Sequence, residues 1–157
     1  MKTMSASQKG FTLLELLLAI AVLLLLTVAS KELYSGYIRN NDLDSTAKTL
    51  ASDLAGARNK AMAGGGDNNW GAHLVNQAAA PDYYEIFSSP ADYAHASTSI
   101  KQTVYFPKTV DFGDPLSGAS KDIIFARLVG TTTATSTIVS SLTSSMTISV
   151  NLNGLVY

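Results

Sequence analysis

The sequence has few of the residues that cross-link or interrupt a chain. It contains no cysteine among its 157 residues, which excludes disulfide bonds, thiolate metal sites and a catalytic cysteine. No proline precedes Pro81, and no glycine lies between Gly10 and Gly36. Because proline and glycine are the residues that most disfavour helix, one long helix can occupy the first part of the chain. A domain of this size can bury a core without disulfide bridges, so the absence of cysteine does not exclude an oxidising compartment.

Charge is also scarce, and its distribution does not indicate a polyanion-binding protein. Charged residues make up 15% of the chain, and the formal net charge is −1. The last basic residue is Arg127, so residues 128–157 contain no side chain that can neutralise a phosphate. Binding of nucleic acid through the C-terminal part is therefore not expected.

A long apolar run near the N-terminus stands out against this background. Residues 16–26 include no polar side chain, and the 19 residues from Phe11 to Ala29 would extend about 28 Å as a helix, close to a ~30 Å hydrocarbon core. The run fits a cleaved secretory signal, with small residues at 28–30, or a plain membrane anchor. Since Lys2 and Lys9 precede it, the positive-inside rule places the N-terminus in the cytoplasm and the rest outside.

Glu15 is explained by neither interpretation, because a carboxylate in an apolar helix costs up to ~3 kcal/mol at the bilayer centre. The residues on either side of Glu15 suggest a third interpretation of the segment. The string GFTLLE (residues 10–15), between a short basic leader and the apolar run, resembles the prepilin cleavage and methylation motif of type IV pilins and type II secretion pseudopilins. The resemblance implies a leader at 1–10, cleavage by a prepilin peptidase between Gly10 and Phe11, and methylation of the new Phe11 amine. Glu15 matches the acid that is the hallmark of that family.

A physical reason supports a role for Glu15 in assembly. Cleavage before Phe11 would leave an ammonium group at the start of an apolar helix, where an unpaired charge is costly. The carboxylate of Glu15 on a neighbouring helix is the natural partner. The resemblance also implies the binding partners: other pilin or pseudopilin subunits, the peptidase and an inner-membrane assembly platform.

The helix is expected to continue beyond the membrane segment at 11–30 as an amphipathic helix over 31–63. Apolar residues recur there at spacings of three and four, and Asp44 and Lys48 form a favourable i,i+4 pair. Poor helix formers at 35–46 predict a weakened but continuous helix, with a hinge as the alternative. The glycines at 64–66 should end it. The predicted apolar face consists of Leu43, Ala47, Leu50, Leu54, Ala57 and Ala61.

The remaining residues, 64–157, show the period of β-strands. The stretch MTISVNLNG (residues 146–154) alternates, with Met146, Ile148, Val150 and Leu152 on one face and a turn at Asn153-Gly154. A short terminal strand should follow at 155–157, and residues 131–145 fit either a strand pair or a polar loop. Further predicted strands lie at 70–76, 82–89, 101–106, 109–112 and 121–128. The sequence thus predicts an α+β fold in which a long N-terminal helix packs on an antiparallel β-sheet head.

A second resemblance narrows the expected family to one group of minor subunits. The helix end LASDLAGARNKAMAGG, followed by a β-rich remainder, is similar to the GspH/FimT-like minor pseudopilins, with Leu54, Ala57, Arg58 and Ala61 at the matching positions. It implies a structural subunit, minor rather than major, of a filament used in type II protein secretion. The chain would be a single-pass inner-membrane protein with a periplasmic head before it joins the filament. The alternative is a minor pilin displayed at the surface for adhesion or DNA uptake.

No catalytic or cofactor motif accompanies these features. His73 and His95 lack metal-ligand spacing, and they are expected in a strand and a loop. Asp111, Asp114 and Asp122 could cluster around Ca²⁺, but they lack EF-hand spacing and more often mark turns. We expect no enzyme activity, no cofactor and no metal. The aromatic residues Trp70, Tyr83, Tyr84 and Tyr93 could serve a binding surface but suit the core of a small β domain.

Overall fold

The computed structural model describes residues 10–133 and 135–157 as an α+β chain, which confirms the predicted fold class. The chain divides into two compact units, one reaching Tyr37 and one running from Ile38 to Tyr157. We refer to the second unit as the head. The elements are α1 (Leu13–Met62), a 3₁₀ turn (Gly65–Asp67), β1 (Asn69–Val75), β2 (Tyr83–Ser89), β3 (Ser99–Tyr105), β4 (Asp111–Asp114), β5 (Ser120–Phe125), β6 (Thr135–Ser140) and β7 (Ser145–Val150).

The helix α1 runs without a break through 35–46, so the continuous helix is confirmed and the hinge is not seen. Its end is also where the sequence predicts it. Gly64 adopts the left-handed conformation, with φ of 69°, and its N–H donates to the Ala61 carbonyl. A residue without a Cβ takes up this conformation at no steric cost, which is why glycine follows so many helices.

The predicted apolar face of α1 forms one wall of the core of the head. All six of its residues are buried, among them Leu50 and Leu54 with no exposed surface. Burial of each leucine side chain stabilises the fold by about 1.5–3 kcal/mol, while the alanines keep the helix close to the strands. The opposite face carries the expected Asp44–Lys48 ion pair at 2.7 Å. The strands contribute to this core Ala72, Leu74, Tyr84, Ile86, Phe112, Ile123, Phe125, Val139, Ile148 and Val150.

Two antiparallel sheets make up the rest of the head. The larger has the strand order β3-β2-β1-β5, and the smaller has the order β4-β6-β7. In the larger sheet, His73 of β1 lies opposite Glu85 of β2 on one side and Asp122 of β5 on the other. This register places these three side chains on the face opposite Ala72 and Leu74, away from the main core.

Two buried polar side chains join the sheets. The amide of Asn76, just after β1, donates to the carbonyls of Phe112 and Pro115 at 2.8 Å each. The carboxylate of Asp82, just before β2, accepts the N–H groups of Phe112 and Gln77 at 2.6 and 2.8 Å. The backbone of Phe112 in β4 is therefore held on the side away from β6. We call Asn76 and Asp82 the polar clamp.

Three sequence predictions about the strands need correction. The strand predicted at 121–128 ends at Phe125, because the chain turns there and Leu128 takes a φ of 66°. Residues 135–140 form β6, which pairs with β7 as a hairpin, so these residues are one strand and neither the strand pair nor the polar loop expected for 131–145. The terminal strand predicted at 155–157 is reduced to a single bridge between Val150 and Val156.

The predicted apolar face of β7 is only half correct. Ile148 and Val150 are buried in the core, whereas Met146 is 38% exposed and Leu152 is 65% exposed. The alternation itself holds, but the core covers only the second half of the strand, from Ile148 to Val150. Leu152 lies beyond the end of β7, in the tight turn that brings the chain back toward Tyr157.

Candidate functional site

The candidate site surrounds the first residues of α1. Gly10, Phe11 and Thr12 precede the helix and have no regular secondary structure. Gly10, Phe11, Thr12 and Glu15 line an open depression of ≈ 390 Å³. Phe11 is 82% exposed among the described residues. The structure thus places all three predicted site residues together.

Thr12 caps the helix, a role that sequence reasoning missed. Its carbonyl accepts the first helical hydrogen bond from the N–H of Leu16, and its side-chain oxygen accepts the N–H of Glu15 at 3.2 Å. These two bonds define Thr12 as the N-cap and Glu15 as the third helical residue. A signal for this was present, because T-x-x-E before an apolar run is the sequence pattern of a capping box.

The carboxylate of Glu15 is exposed at the positive end of the helix dipole, where a negative charge is favourable. The hydrogen bond that Thr12 accepts involves the backbone of Glu15, not its side chain. Among the described residues, the Glu15 carboxylate forms no hydrogen bond or ion pair of its own.

Gly10 is not required by the packing of the described residues. A Cβ atom built onto Gly10 would meet none of their atoms within 4 Å. This contrasts with Gly71 in β1, where a Cβ would lie 2.5 Å from the carbonyl oxygen of Ile123.

The helix that follows is apolar on every side up to Val28. Its large side chains are exposed, with fractions from 46% at Ile20 and Val22 to 78% at Leu13. Within the described part of the chain, no helix meets both the length and the hydropathy expected of a membrane span. The membrane segment expected at 11–30 stays a prediction.

The three aspartates considered for Ca²⁺ do not share a site. Asp114 pairs with Lys121 at 2.5 Å, and Asp122 accepts from His73 at the same distance. Burial, and then the charge of Asp82, raise the pKa of Asp111 above its usual value. Over residues 10–133 and 135–157, no three His, Asp or Glu side chains are grouped so that they could hold a metal ion.

The two histidines lie where the sequence predicts them, His73 in β1 and His95 in the loop before β3. The ring of Tyr93, from the same loop, stacks on His73 with centroids 3.7 Å apart, and its hydroxyl donates to Glu85 at 2.6 Å. Burial and the Glu85 hydrogen bond raise the pKa of Tyr93 above its usual range. These contacts fasten the loop to the outer face of the larger sheet.

The other aromatic residues considered for binding mostly serve the fold. Tyr84 is fully buried, and its hydroxyl donates to Asp53 of α1 at 2.7 Å. Burial, and then that hydrogen bond, raise the pKa of Tyr84 above its usual range. Trp70 is half-buried beneath the ammonium of Lys60, 4.9 Å from the ring centre. Tyr83 is half-buried against Tyr105, with ring centroids 5.4 Å apart.

The residues of the second resemblance are structural. Leu54, Ala57 and Ala61 belong to the buried face of α1, and the guanidinium of Arg58 donates through Nε to the carbonyl of Asn153 at 3.1 Å. A Cβ at Gly154 would lie 2.9 Å from that nitrogen. Arg58 therefore fastens the C-terminal turn to the end of the helix.

Comparison with known proteins gives one match. Residues 5–30 match the family model described as the prokaryotic N-terminal methylation motif. This match covers the whole string GFTLLE and confirms that motif. No curated protein and no solved structure matches the chain significantly.

Proposed function

This chain carries the N-terminal methylation motif of type IV pilins and pseudopilins, and from that premise we propose that it is a minor subunit of a type II secretion filament. Its role in this proposal is structural, not catalytic. It is inserted in the inner membrane before assembly, with the head in the periplasm, and an assembly platform in that membrane transfers it to the filament. GspH/FimT-like minor pseudopilins are the subtype that its helix end and β-rich head favour.

The observation that carries this proposal is the exposed apolar helix with a single carboxylate near its start. A helix that is apolar on all sides must be covered by lipid or by other helices. The described part of the chain leaves Leu13, Leu18 and Leu25 exposed, at 78%, 62% and 72%. Lipid covers them before assembly in our proposal, and the helices of neighbouring subunits cover them afterwards.

Processing precedes assembly in this scheme. A prepilin peptidase cuts between Gly10 and Phe11, and the Phe11 amine is then methylated. The exposure of Phe11 and the non-helical conformation of residues 10–12 support access to this bond. Intact mass and N-terminal sequencing of protein from the native host test it, with methylated Phe11 as the expected first residue. A mature chain that starts at Lys31 would establish an ordinary signal peptide instead.

Glu15 then pairs with the Phe11 amine of an adjacent subunit. The cap at Thr12 leaves this pairing possible, because it uses the Glu15 amide and not the carboxylate. In the low-dielectric centre of a filament, breaking such a pair by removing one partner costs roughly 3–5 kcal/mol. The pair also fixes the axial offset between neighbouring helices.

The substitution Glu15→Val tests the proposed function. The mutant protein should still enter the membrane and be cut after Gly10, while its co-purification with other pilin subunits should fall sharply. Glu15→Gln is the informative companion, since it keeps the size and the backbone cap but removes the charge, and it should fail in the same way. Asp44→Val removes an exposed carboxylate from the same helix and should have no effect. Wild-type co-purification of both Glu15 mutants would rule out the pairing.

One observation favours surface adhesion as a second candidate. Tyr105 is 66% exposed beside the half-buried Tyr83, on the outer face of the larger sheet. Two accessible aromatic rings suit contact with a ligand surface. If adhesion is the function, Tyr105→Ala should reduce the attachment of cells of the native host to a surface without reducing secretion. The secretion role predicts no change in this attachment.

A further inference from the structure

A second group of exposed apolar side chains lies at the end of the head where α1 finishes. They come from three segments: the last turn of α1, the turn after β5 and the turn after β7. We call this group the end patch. It consists of Met62, Leu128, Val129 and Leu152, which are 36%, 63%, 61% and 65% exposed.

The three segments are fixed neighbours. The N–H of Leu128 donates to the carbonyl of Ala61 at 2.9 Å, and the N–H of Thr132 donates to that of Leu152 at 3.2 Å. A Cβ at Gly130 would lie 2.6 Å from the side chain of Met62, which shows how closely the turn sits on the helix end. The three segments that carry the end patch are therefore held together by hydrogen bonds and close packing.

Leu128 is the unusual member of the end patch. Its φ of 66° lies in the left-handed region, which suits glycine or asparagine and is disfavoured for leucine. Its side chain gains little from folding, since most of it stays in solvent. Neither the backbone nor the core of the head explains a leucine here, and an outlier of this kind points to a function outside the fold.

The rim of the end patch is positively charged. Arg58, Lys60 and Arg127 lie at this end of the head, and Arg127 pairs with Asp67. Within the described part of the chain, neither Arg58 nor Lys60 has a carboxylate partner. A symmetric contact between two copies would bring these positive rims together, which is unfavourable.

We propose that the end patch binds a partner protein through a segment whose apolar side chains are flanked by carboxylates. The rim selects the acidic flanks, and Leu128 and Val129 supply the apolar contact. A fixed surface built from three hydrogen-bonded segments suits a shape-matched protein contact better than insertion into lipid. The proposal depends on neither processing nor Glu15, because every residue of the patch and its rim lies between Arg58 and Leu152.

Photo-crosslinking in the native host tests the proposal directly. A photoreactive phenylalanine derivative replaces Val129 in the full-length chain, and the crosslinked peptides are sequenced by mass spectrometry. The expected product joins position 129 to a different protein, at a segment with apolar residues next to Asp or Glu. Its yield should fall as the salt concentration is raised before irradiation of isolated membranes.

Leu128→Asn separates binding from folding. Asparagine accepts the left-handed conformation, so the unfolding temperature of the head should stay the same or rise. The crosslink yield at position 129 should fall about tenfold, as expected when a central apolar contact is lost. Leu142→Asn is the matched control, because Leu142 is 83% exposed in the β6–β7 turn and lies outside the patch. It should leave the yield unchanged.

Several results would overturn the proposal. Absence of a crosslink, or a crosslink to a second copy of this chain, would show that no such partner binds. A crosslinked segment without carboxylates would refute the charge argument, and equal losses for Leu128→Asn and Leu142→Asn would refute the site. Reaction of the photoreactive group at position 129 with membrane lipid instead of protein would assign the patch to lipid. By contrast, a crosslink at position 129 that persists in Glu15→Val would support the proposal, because the end patch would then bind its partner without filament assembly.

Discussion

From Leu13 to Val28, α1 leaves its large apolar side chains exposed, whereas from Leu43 to Ala61 the same helix buries one face in the core of the head. Apart from Glu15 and Thr27 the first stretch is apolar, and the second combines a buried apolar face with charged pairs such as Asp44–Lys48. The head thus has a core formed by its own residues, whereas the described residues of the N-terminal stretch belong to no such core. The same residue type should therefore have different effects in the two regions.

The largest difference is expected for leucine-to-alanine changes in the two stretches. Leu50→Ala removes a fully buried side chain and should destabilise the head by about 2–5 kcal/mol, through lost burial and the cavity left behind. Leu17→Ala, at a position 59% exposed, should leave the head unchanged. Thermal unfolding of the full-length proteins in detergent, followed by near-ultraviolet circular dichroism, measures both. Equal destabilisation would mean that the two regions fold as one.

Carboxylates extend the comparison to polar groups. Asp82→Ala leaves the N–H groups of Gln77 and Phe112 without their acceptor in the interior, which should cost about 2–3 kcal/mol. Glu15→Val should leave the unfolding of the head at its wild-type midpoint, although it abolishes assembly in the proposed function. Chemical denaturation measures the unfolding midpoint of both mutants, and assembly is followed in the native host. An Asp82→Ala midpoint equal to that of the wild type would contradict the distinction between the two carboxylates.

A smaller effect is expected at the contact between Tyr84 and Asp53, which links the larger sheet to α1. Tyr84→Phe removes this hydrogen bond and should cost about 1–1.5 kcal/mol near neutral pH. The folded chain raises the pKa of Tyr84 above the value near 10 of an unfolded tyrosine, so its contribution is complete below pH 10 and is lost as the pH rises further.

The pH dependence supplies the control for this contact. Above pH 10 the wild-type head should lose stability more steeply than Tyr84→Phe, and Tyr93→Phe should reduce the slope in the same direction, since the pKa of Tyr93 is raised as well. Unfolding midpoints in urea at several alkaline pH values measure this. Parallel profiles for the wild type and both mutants would show that the two hydroxyls do not contribute.

The smallest effect concerns the start of α1. Thr12→Ala removes the cap on the Glu15 amide and should weaken the first turn by about 1 kcal/mol, while Thr12→Ser should keep the cap. Hydrogen exchange of the Glu15 amide in detergent micelles should be about fivefold faster in Thr12→Ala. The unfolding midpoint of the head should not change. Unaltered exchange would mean that Thr12 does not cap the helix in solution.

Much of the fold was predictable because its signals are local. The spacing of Leu43, Leu50 and Leu54 gives the buried face of α1, and the glycines at 64–66 give its end. The motif at 10–15 was also predictable from the sequence, because a basic leader, a glycine and an acidic residue at fixed spacing are short-range features.

What the sequence could not provide depends on contacts between distant segments. Nothing near Asn76 or Asp82 indicates that both would hold Phe112, some thirty residues away. The strand predicted to continue to Leu128 ends at Phe125 because the Leu128 amide donates instead to Ala61, at the end of the helix. The apolar residues of that turn look like part of a strand until the helix end is placed beside them.

The buried face of α1 has a mechanical consequence. Leu43 to Ala61 spans 19 residues, or about 28 Å of helix, and its buried side chains belong to the core of the head over this whole length. Tension that enters through the N-terminal end of the helix acts along its axis, so all of these contacts share the load in shear. They cannot be peeled apart one turn at a time, which is the easier way to separate packed elements. When the chain is pulled through the N-terminal end of α1, the head should consequently stay folded at forces that would open the β6–β7 hairpin if the hairpin were pulled from its two ends.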